Sequence, residues 1–376
     1  MRIPFNRPYF TGDEINTMIK AAMAGQISGN GEYTKKCHKL FEKKFGFAKV
    51  LLTNSCTDAL EMAAVLCNFK EGDEVIMPSY TFVSMASAFV LHGAKVVFAD
   101  SRHDNPNIDE TKIEELITDK TRAIVVVHYN GIACEMDSIM EIARKHNLFI
   151  IEDAAHSMDS YYKKKPLGSI GDFSSFSFHE TKNIITGEGG LLAINNKDYI
   201  ERAEIIWEKG TNRAAFKRGD VKKYEWVDVG ASYLPSEIMA ATLFAQMSQL
   251  KNIQDKRVEI WHTYYNKLKE LEKEGFLQLP ILPEYATVNG SMFYFICHNG
   301  KERNKLLKYL NKNNIYAVFH YLPLHTSPYY HDKHDGRSLP NTDRYADCII
   351  RLPFYYELGD REIEEVVDRV KMFYRK

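Results

Sequence analysis

Five short apolar runs, separated by helical stretches, constrain this chain more than any other feature. They are Val50-Leu51-Leu52, Glu74-Val75-Ile76-Met77, Lys95-Val96-Val97-Phe98, Ala123-Ile124-Val125-Val126-Val127 and Leu148-Phe149-Ile150-Ile151. Helical patterns at Asp58–Cys67, Ser84–Leu91 and Ser138–His146 lie between most of them. Continuous apolar strands alternating with helices predict an α/β fold with a mostly parallel sheet covered on both faces. Ligands in such sheets collect at the carboxyl ends of the strands, so the polar residues that follow each run are the candidates for function.

The rest of the chain departs from this rhythm. Ile15, Met18, Ile19 and Met23 recur at helical spacing after Thr11-Gly12-Asp13-Glu14, and Thr34 to Phe45 reads as a second helix closed by Gly46. Phe173–Phe178 and Gly190–Ile194 read as strands flanking a polar turn, and residues 209–233 read as a long charged loop. Ser236 to about Glu274 is helical in pattern, with room for a bend, a length suited to a domain connector. Beyond it, Met292–Cys297 and Tyr316–Leu322 read as strands, and Lys301–Asn313 and Glu362–Phe373 as helices. The expected division is a large domain over 1–250 and a small α+β domain over 251–376.

Composition narrows the function classes. Of 376 residues 45% are hydrophobic, enough for a sizeable core, and the net charge of −1 gives no reason to propose nucleic acid or an anionic membrane as partner. No run approaches the ~18 apolar residues that cross a bilayer. Six widely spaced cysteines without a C-x-x-C pair read as free thiols, and the N-terminus lacks a signal-peptide core. The expectation is a soluble cytoplasmic protein, and no metal-ligand set is assigned.

Two segments carry the chemistry. Asp153 ends the apolar run Leu148–Ile151, within Glu152-Asp153-Ala154-Ala155-His156. Lys182 lies in Ser177-Phe178-His179-Glu180-Thr181-Lys182-Asn183, directly before Thr186-Gly187-Glu188-Gly189-Gly190. A strand-end acid with a lysine in a Ser/Gly setting is what pyridoxal phosphate (PLP) chemistry needs: an amine to bond the cofactor and a carboxylate to keep its ring nitrogen protonated. Taken alone, Asp153 reads as a helix cap and Lys182 as a surface lysine; the pair reverses that reading. Ser55, Cys56 and Thr57 open a helix after a strand, either as a plain cap or as a site for one phosphate. Phe82 follows another strand, as core or as a ring for stacking. Lys209, Arg213, Lys217 and Arg218 form either a solvated loop or a diphosphate grip.

These segments, with Met77–Ser84, Ala133–Asp137, Glu208–Arg213, Ser232–Glu237 and Phe319–His325, resemble the PLP-dependent sugar-nucleotide aminotransferases of fold type I (aspartate aminotransferase-like) along essentially the whole chain. The last three segments are similar to the branch that aminates dTDP-4-dehydro-6-deoxy-D-glucose at C4 with L-glutamate. The resemblance implies that Lys182 bonds the cofactor and shuttles the proton, and that Asp153 pairs with the ring nitrogen. It implies that Ser55, Cys56, Thr57 and Ser177 hold the phosphate and that Phe82 stacks on the ring. His179, Lys209, Arg213, Tyr321 and His325 are implied in substrate binding, and a homodimer with shared sites is implied. Two residues depart from the family pattern. His156 replaces a usual glutamine, so its titration is expected to make the cofactor's electronics pH-dependent. Ser232 replaces a longer asparagine that reaches the partner's cofactor. Action at C3 or on a UDP- or GDP-sugar is the alternative. A dehydratase of this fold carries histidine at the lysine position, and a PLP-binding regulator needs a DNA-binding extension; neither feature is present.

Overall fold

The computed structural model describes residues 2–375. Its strands are β1 (Lys49–Thr53), β2 (Glu74–Pro78), β3 (Lys95–Ala99), β4 (Thr121–Val127), β5 (Phe149–Asp153), β6 (Tyr161–Tyr162), β7 (Lys165–Pro166), β8 (Phe173–Ser177), β9 (Gly190–Ile194), β10 (Tyr294–Ile296) and β11 (Ile349–Arg351). Its helices are α1 (Asp13–Met23), α2 (Glu32–Phe45), α3 (Cys56–Leu66), α4 (Val83–Leu91), α5 (Met136–His146), α6 (Ile200–Trp207), α7 (Arg213–Arg218), α8 (Glu237–Ser248), α9 (Leu250–Lys273), α10 (Gly300–Lys312), α11 (Pro340–Cys348) and α12 (Asp360–Tyr374).

The central sheet has seven strands in the order β1-β9-β8-β5-β4-β2-β3. β9 runs antiparallel to both neighbours, and the pairs from β8 through β5, β4 and β2 to β3 are parallel. This is the mostly parallel α/β architecture that the apolar runs predict. Asp153 lies opposite Ser175, and both Thr53 and Ser177 lie opposite Gly190. The ends of β1, β5 and β8 therefore reach one edge together.

Helix boundaries follow local chemistry. The Ser55 hydroxyl accepts from Asp58 N and starts α3, Ser236 accepts from Met239 N and starts α8, and Asn299 accepts from Glu302 N and starts α10. Gly46 ends α2 at φ 75°, where a side chain is disfavoured. The expected connector helix is two helices broken at Gln249. Leu250 and Ile253 of α9 pack into the core beneath the sheet, whereas Ile260 to Leu271 join a second core with β10, α10, β11 and α12. Ile3, from the opposite end of the chain, also sits in that second core and bridges to Ile315.

Two readings need correction. Tyr316–Leu322 is not a strand: β11 occupies the place beside β10, and the segment keeps only a single bridge between Val318 and Arg351 before it turns at Pro323. Helix α1 has the expected period but the opposite face buried. Ile15, Ile19 and Met23 are 62%, 56% and 83% exposed, while Glu14 and Ala21 are covered. Glu14 tolerates burial because Thr11 N, Gly12 N and Gln246 Nε2 donate to its carboxylate at 2.9, 3.0 and 2.6 Å. No helix among the described residues is long and apolar enough to cross a membrane.

One buried anion fixes the strand that carries Asp153. Glu152 is fully covered and accepts from Gly168 N, Ile170 N and Gly171 N at 2.8, 2.8 and 2.6 Å. His128 Nε2 lies 2.9 Å away, and its Nδ1 accepts from Cys134 N, which puts the ring proton on Nε2 facing the carboxylate. Burial opposes the charge, but these donors hold the carboxyl below its ordinary range. Glu152→Ala leaves three N–H groups and a histidine unpaired, so urea unfolding should show a loss of about 3–5 kcal/mol. A loss under about 1 kcal/mol would show that water replaces the carboxylate without cost.

Candidate active site

Lys182 sits in the turn after β8, partly buried, with its N–H donating to His179 O at 2.9 Å. Burial dominates its electrostatics and brings the amine down to about 8, against the opposing pull of Cys56 and Asp153; Arg351 adds to the lowering. The turn is anchored from behind. Asn183 Nδ2 donates to Gln254 Oε1 at 2.8 Å and to Asn289 O at 2.9 Å. Asn289 Nδ2 in turn donates to His156 O and Met158 O at 2.7 and 2.9 Å, and Gln254 Nε2 to Met158 O at 2.8 Å. The lysine turn, the loop after Asp153 and helix α9 are thus one bonded unit.

Asp153 is buried at the end of β5. Burial raises its carboxyl above the ordinary value, offset by the bond that Oδ1 accepts from Ala155 N at 3.0 Å and by Lys182. Its Oδ2 has no hydrogen-bond partner among the described residues. His156 lies three residues on, with Nδ1 sealed from solvent and unbonded. Burial first, then the charges of Lys182, Arg351 and His320, push this ring well below its ordinary range. The expected pH-sensitivity from His156 is therefore corrected: the ring stays neutral across the physiological range.

Ser55, Cys56 and Thr57 form the first turn of α3 and face the same edge. The Ser55 hydroxyl donates to Asp58 Oδ1 at 2.8 Å. Gly190 explains why a glycine run follows the lysine. A Cβ there would lie 2.3 Å from Ser55 C and O and 2.5 Å from Cys56 N, so only glycine lets β9 pass against the turn. Ser177 is partly buried, and its Oγ accepts from His179 N at 3.4 Å. Phe82 caps α4, 56% exposed, with its ring 6.1 Å from that of Tyr321.

Other candidate residues lie elsewhere or are engaged. His179 Nδ1 is 2.9 Å from Thr181 Oγ1, and its Nε2 is 3.8 Å from Glu188. His325 is buried, with Nδ1 2.8 Å from Ser79 Oγ and Nε2 3.5 Å from Asp343, an arrangement that pins the 320s loop to the end of β2. Lys209, Arg213 and Ser232 are exposed between α6 and α8, a stretch expected to be one loop that instead holds the short helix α7 from Arg213; Arg213 pairs with buried Glu208 at 3.3 Å. No contact within the chain brings these three to Lys182 among the described residues. The sequence reading misses Asn183, Asn289, His320 and Arg351. An arginine inside the apolar run Ile349-Ile350-Arg351-Leu352 is the one signal that could have drawn attention.

Residues 9–371 match the model of a known family. The chain belongs to the DegT/DnrJ/EryC1/StrS aminotransferase family. It is 34% identical to the uncharacterized protein MJ1066 of Methanocaldococcus jannaschii, over 98% of this chain and 97% of that one. It is 30% identical to the spore coat polysaccharide biosynthesis protein SpsC of Bacillus subtilis, over 98% and 96%. Spr1654 of Streptococcus pneumoniae, solved in PMP and PLP forms, superposes with a TM-score of 0.91 at 25% identity, covering 100% of this chain. The protein is a PLP-dependent sugar aminotransferase of fold type I.

The residues present fit that cofactor. A sealed histidine nitrogen without a partner and a turn cleared by Gly190 accompany a near-neutral amine on which the Asp153 charge acts. The sign of the Lys182 shift sets a testable pH window. Below about 8 its amine is mostly protonated, and above it the amine is mostly free. Amine-selective labelling of cofactor-free protein, read by peptide mass mapping, should place the Lys182 midpoint near pH 8. A midpoint at the ordinary lysine value of about 10.4 would remove the depressed amine.

Proposed function

We propose that the enzyme transfers the amino group of L-glutamate to C4 of dTDP-4-dehydro-6-deoxy-D-glucose, giving dTDP-4-amino-4,6-dideoxy-D-galactose and 2-oxoglutarate. The observation that carries amino transfer is the near-neutral Lys182 amine beside the buried Asp153 carboxylate. The choice of sugar is supported by segments Glu208–Arg213, Ser232–Glu237 and Phe319–His325, which are similar to the C4-aminating branch. SpsC is named for spore coat polysaccharide biosynthesis, and we assign the product here to a cell-surface polysaccharide as well.

PLP, when bound, supplies the carbon that carries nitrogen between the two substrates and a ring that takes up the electron pair left by a departing proton. Lys182 Nζ would hold that carbon, Asp153 the ring nitrogen, and Ser55, Cys56, Thr57 and Ser177 the phosphate, with Phe82 against the ring face. His156, neutral, would direct its ring at the phenolic oxygen. Lys182 Nζ takes a proton from the α-carbon of glutamate in the first half and delivers one to C4 of the sugar in the second. An amine near 8 can do both at neutral pH.

The assembly we propose is a homodimer in which the 208–232 loop of one protomer enters the site of its partner. Trp226, Val227 and Val229 on that loop are 80%, 50% and 57% exposed, and the outward apolar face of α1 offers further surface. Residues 1–250 and 251–376 then act as a large and a small domain, with α9 crossing between their cores. A cytoplasmic location suits the six free cysteines, five of them buried.

A panel of dTDP-, UDP- and GDP-keto-sugars assayed with L-glutamate should show turnover at C4 of the dTDP sugar; turnover only at C3, or only with another nucleotide, sinks this choice of substrate. Lys182→Ala should lower kcat by roughly 10²–10⁴-fold or more. Mixing it with the Arg213→Ala protein under conditions of subunit exchange should restore activity that neither variant has alone. No recovery would argue that Arg213 serves its own chain.

A further inference from the structure

Residues 3–9 have no role in the reading above. Pro4 and Pro8 fix their own φ and keep Ile3 and Arg7 extended, so Ile3-Pro4-Phe5-Asn6-Arg7-Pro8-Tyr9 is a stiff strap rather than a helix. Terminal residues are poorly ordered unless tied down, and this segment is tied along its length. Ile3 N donates to Asn314 O at 2.9 Å, Tyr316 N to Ile3 O at 3.0 Å and Phe354 N to Phe5 O at 3.0 Å. The Arg7 guanidinium lies 5.2 Å from the centre of the Tyr355 ring and pairs with Glu357 at 3.6 Å. Tyr9 stacks on Tyr356 with ring centres 3.8 Å apart, and its carbonyl accepts from Gln246 Nε2 at 3.0 Å. The strap therefore runs along the second core and ends on α8 of the first.

Between these ties two side chains meet the site. The Phe5 ring faces the His320 ring edge-on at 6.3 Å and lies 5.1 Å from the Arg351 guanidinium. Asn6 Nδ2 donates to Glu180 O at 3.2 Å, across 174 positions of the chain. A carbonyl only accepts, so the amide nitrogen is the end of Asn6 that faces it. Glu180 lies two residues before Lys182. Other bonds hold the turn from different sides: Glu180 N donates to Gly187 O, and Asn183 to Gln254 and to Asn289 O. The Asn6 bond acts on the peptide unit between Glu180 and Thr181, which is planar and turns as one body. Fixing its oxygen fixes the course of the backbone into Lys182. We infer that Asn6 is a positioning residue for amino transfer, holding that peptide unit so that Lys182 Nζ reaches the reacting carbon from one direction. The inference rests on the reading of Lys182 as the transferring amine but not on the identity of the sugar.

The test uses full-length holoenzyme with PLP in excess, in the donor half-reaction alone. The rate at which L-glutamate removes the visible absorbance of bound PLP, followed against its concentration, gives a limiting rate and an apparent Kd. Asn6→Ala should lower the limiting rate roughly 5- to 50-fold. The apparent Kd should stay within about threefold. The lost bond is an exposed one, so the variant should keep its fold, which thermal unfolding checks. Asn6→Asp has the same size, but an ionised carboxylate cannot donate, so its rate should fall at least as far. Arg7→Ala breaks an outward tie of the same strap and should stay within about twofold of the wild-type rate. An unchanged rate in Asn6→Ala, a wild-type rate in Asn6→Asp, a loss confined to Kd, or an equal loss in Arg7→Ala overturns the inference. If Asn6→Ala does not fold, Asn6→Asp decides under the same criteria. A Lys182→Ala protein run alongside separates the two readings: if it keeps the wild-type rate, the role given to Lys182 fails and this inference with it. If the wild-type enzyme ignores L-glutamate, the proposed donor fails instead, and L-glutamine or L-alanine then decides the role of Asn6 by the same comparison.

Discussion

The buried carboxylate of Glu152 is the constraint on which the site depends. Three backbone N–H groups from the 168–171 turn and the His128 ring converge on it. Such an anion is stable only when every lone pair is used, which leaves little freedom for the strand that carries it. Successive side chains of a strand point to opposite faces. Fixing Glu152 on one face therefore fixes Asp153 on the other, and β8 is held beside it by the same turn. The acid and the segment leading to the lysine share one rigid origin.

A second bonded unit performs the matching task for the lysine. Asn183, Gln254 and Asn289 satisfy one another and the carbonyls of His156 and Met158. Because Gln254 belongs to α9, whose later turns build the second core, the lysine turn is coupled to the part of the chain that bears Arg351. The catalytic amine is thereby referenced to both cores at once.

Much of this is legible in the sequence, for identifiable reasons. Apolar runs that stop abruptly at Thr53, Pro78 and Asp153 declare buried strands and point to their polar ends. The glycine run after Lys182 is legible as a motif, although its physical cause, the passage of β9 against the Ser55 turn, needs coordinates. What stays hidden depends on partners distant in the chain. The apolar period of α1 announces a helix but not which face is covered, since burial of Glu14 relies on Gln246. Tyr316–Leu322 has strand-like composition, yet pairing is decided by β11, a neighbour that composition does not announce. Arg351 resembles an ordinary strand residue until folding places it among Lys182, His156 and His320.

Cys56 gives the site a further property. A thiol at a helix N-terminus is usually made reactive by its position. Here burial foremost, and then the Asp153 charge, push it up to about 12. Thiolates attack carbonyl carbons as readily as amines do, and a sulfur nucleophile beside Lys182 would compete with it for the same carbon. By holding the sulfur protonated while freeing the nitrogen, the pocket selects between two neighbouring nucleophiles chiefly through solvation. Chemoselectivity here is a property of where water is excluded, set by the same walls that lower the lysine.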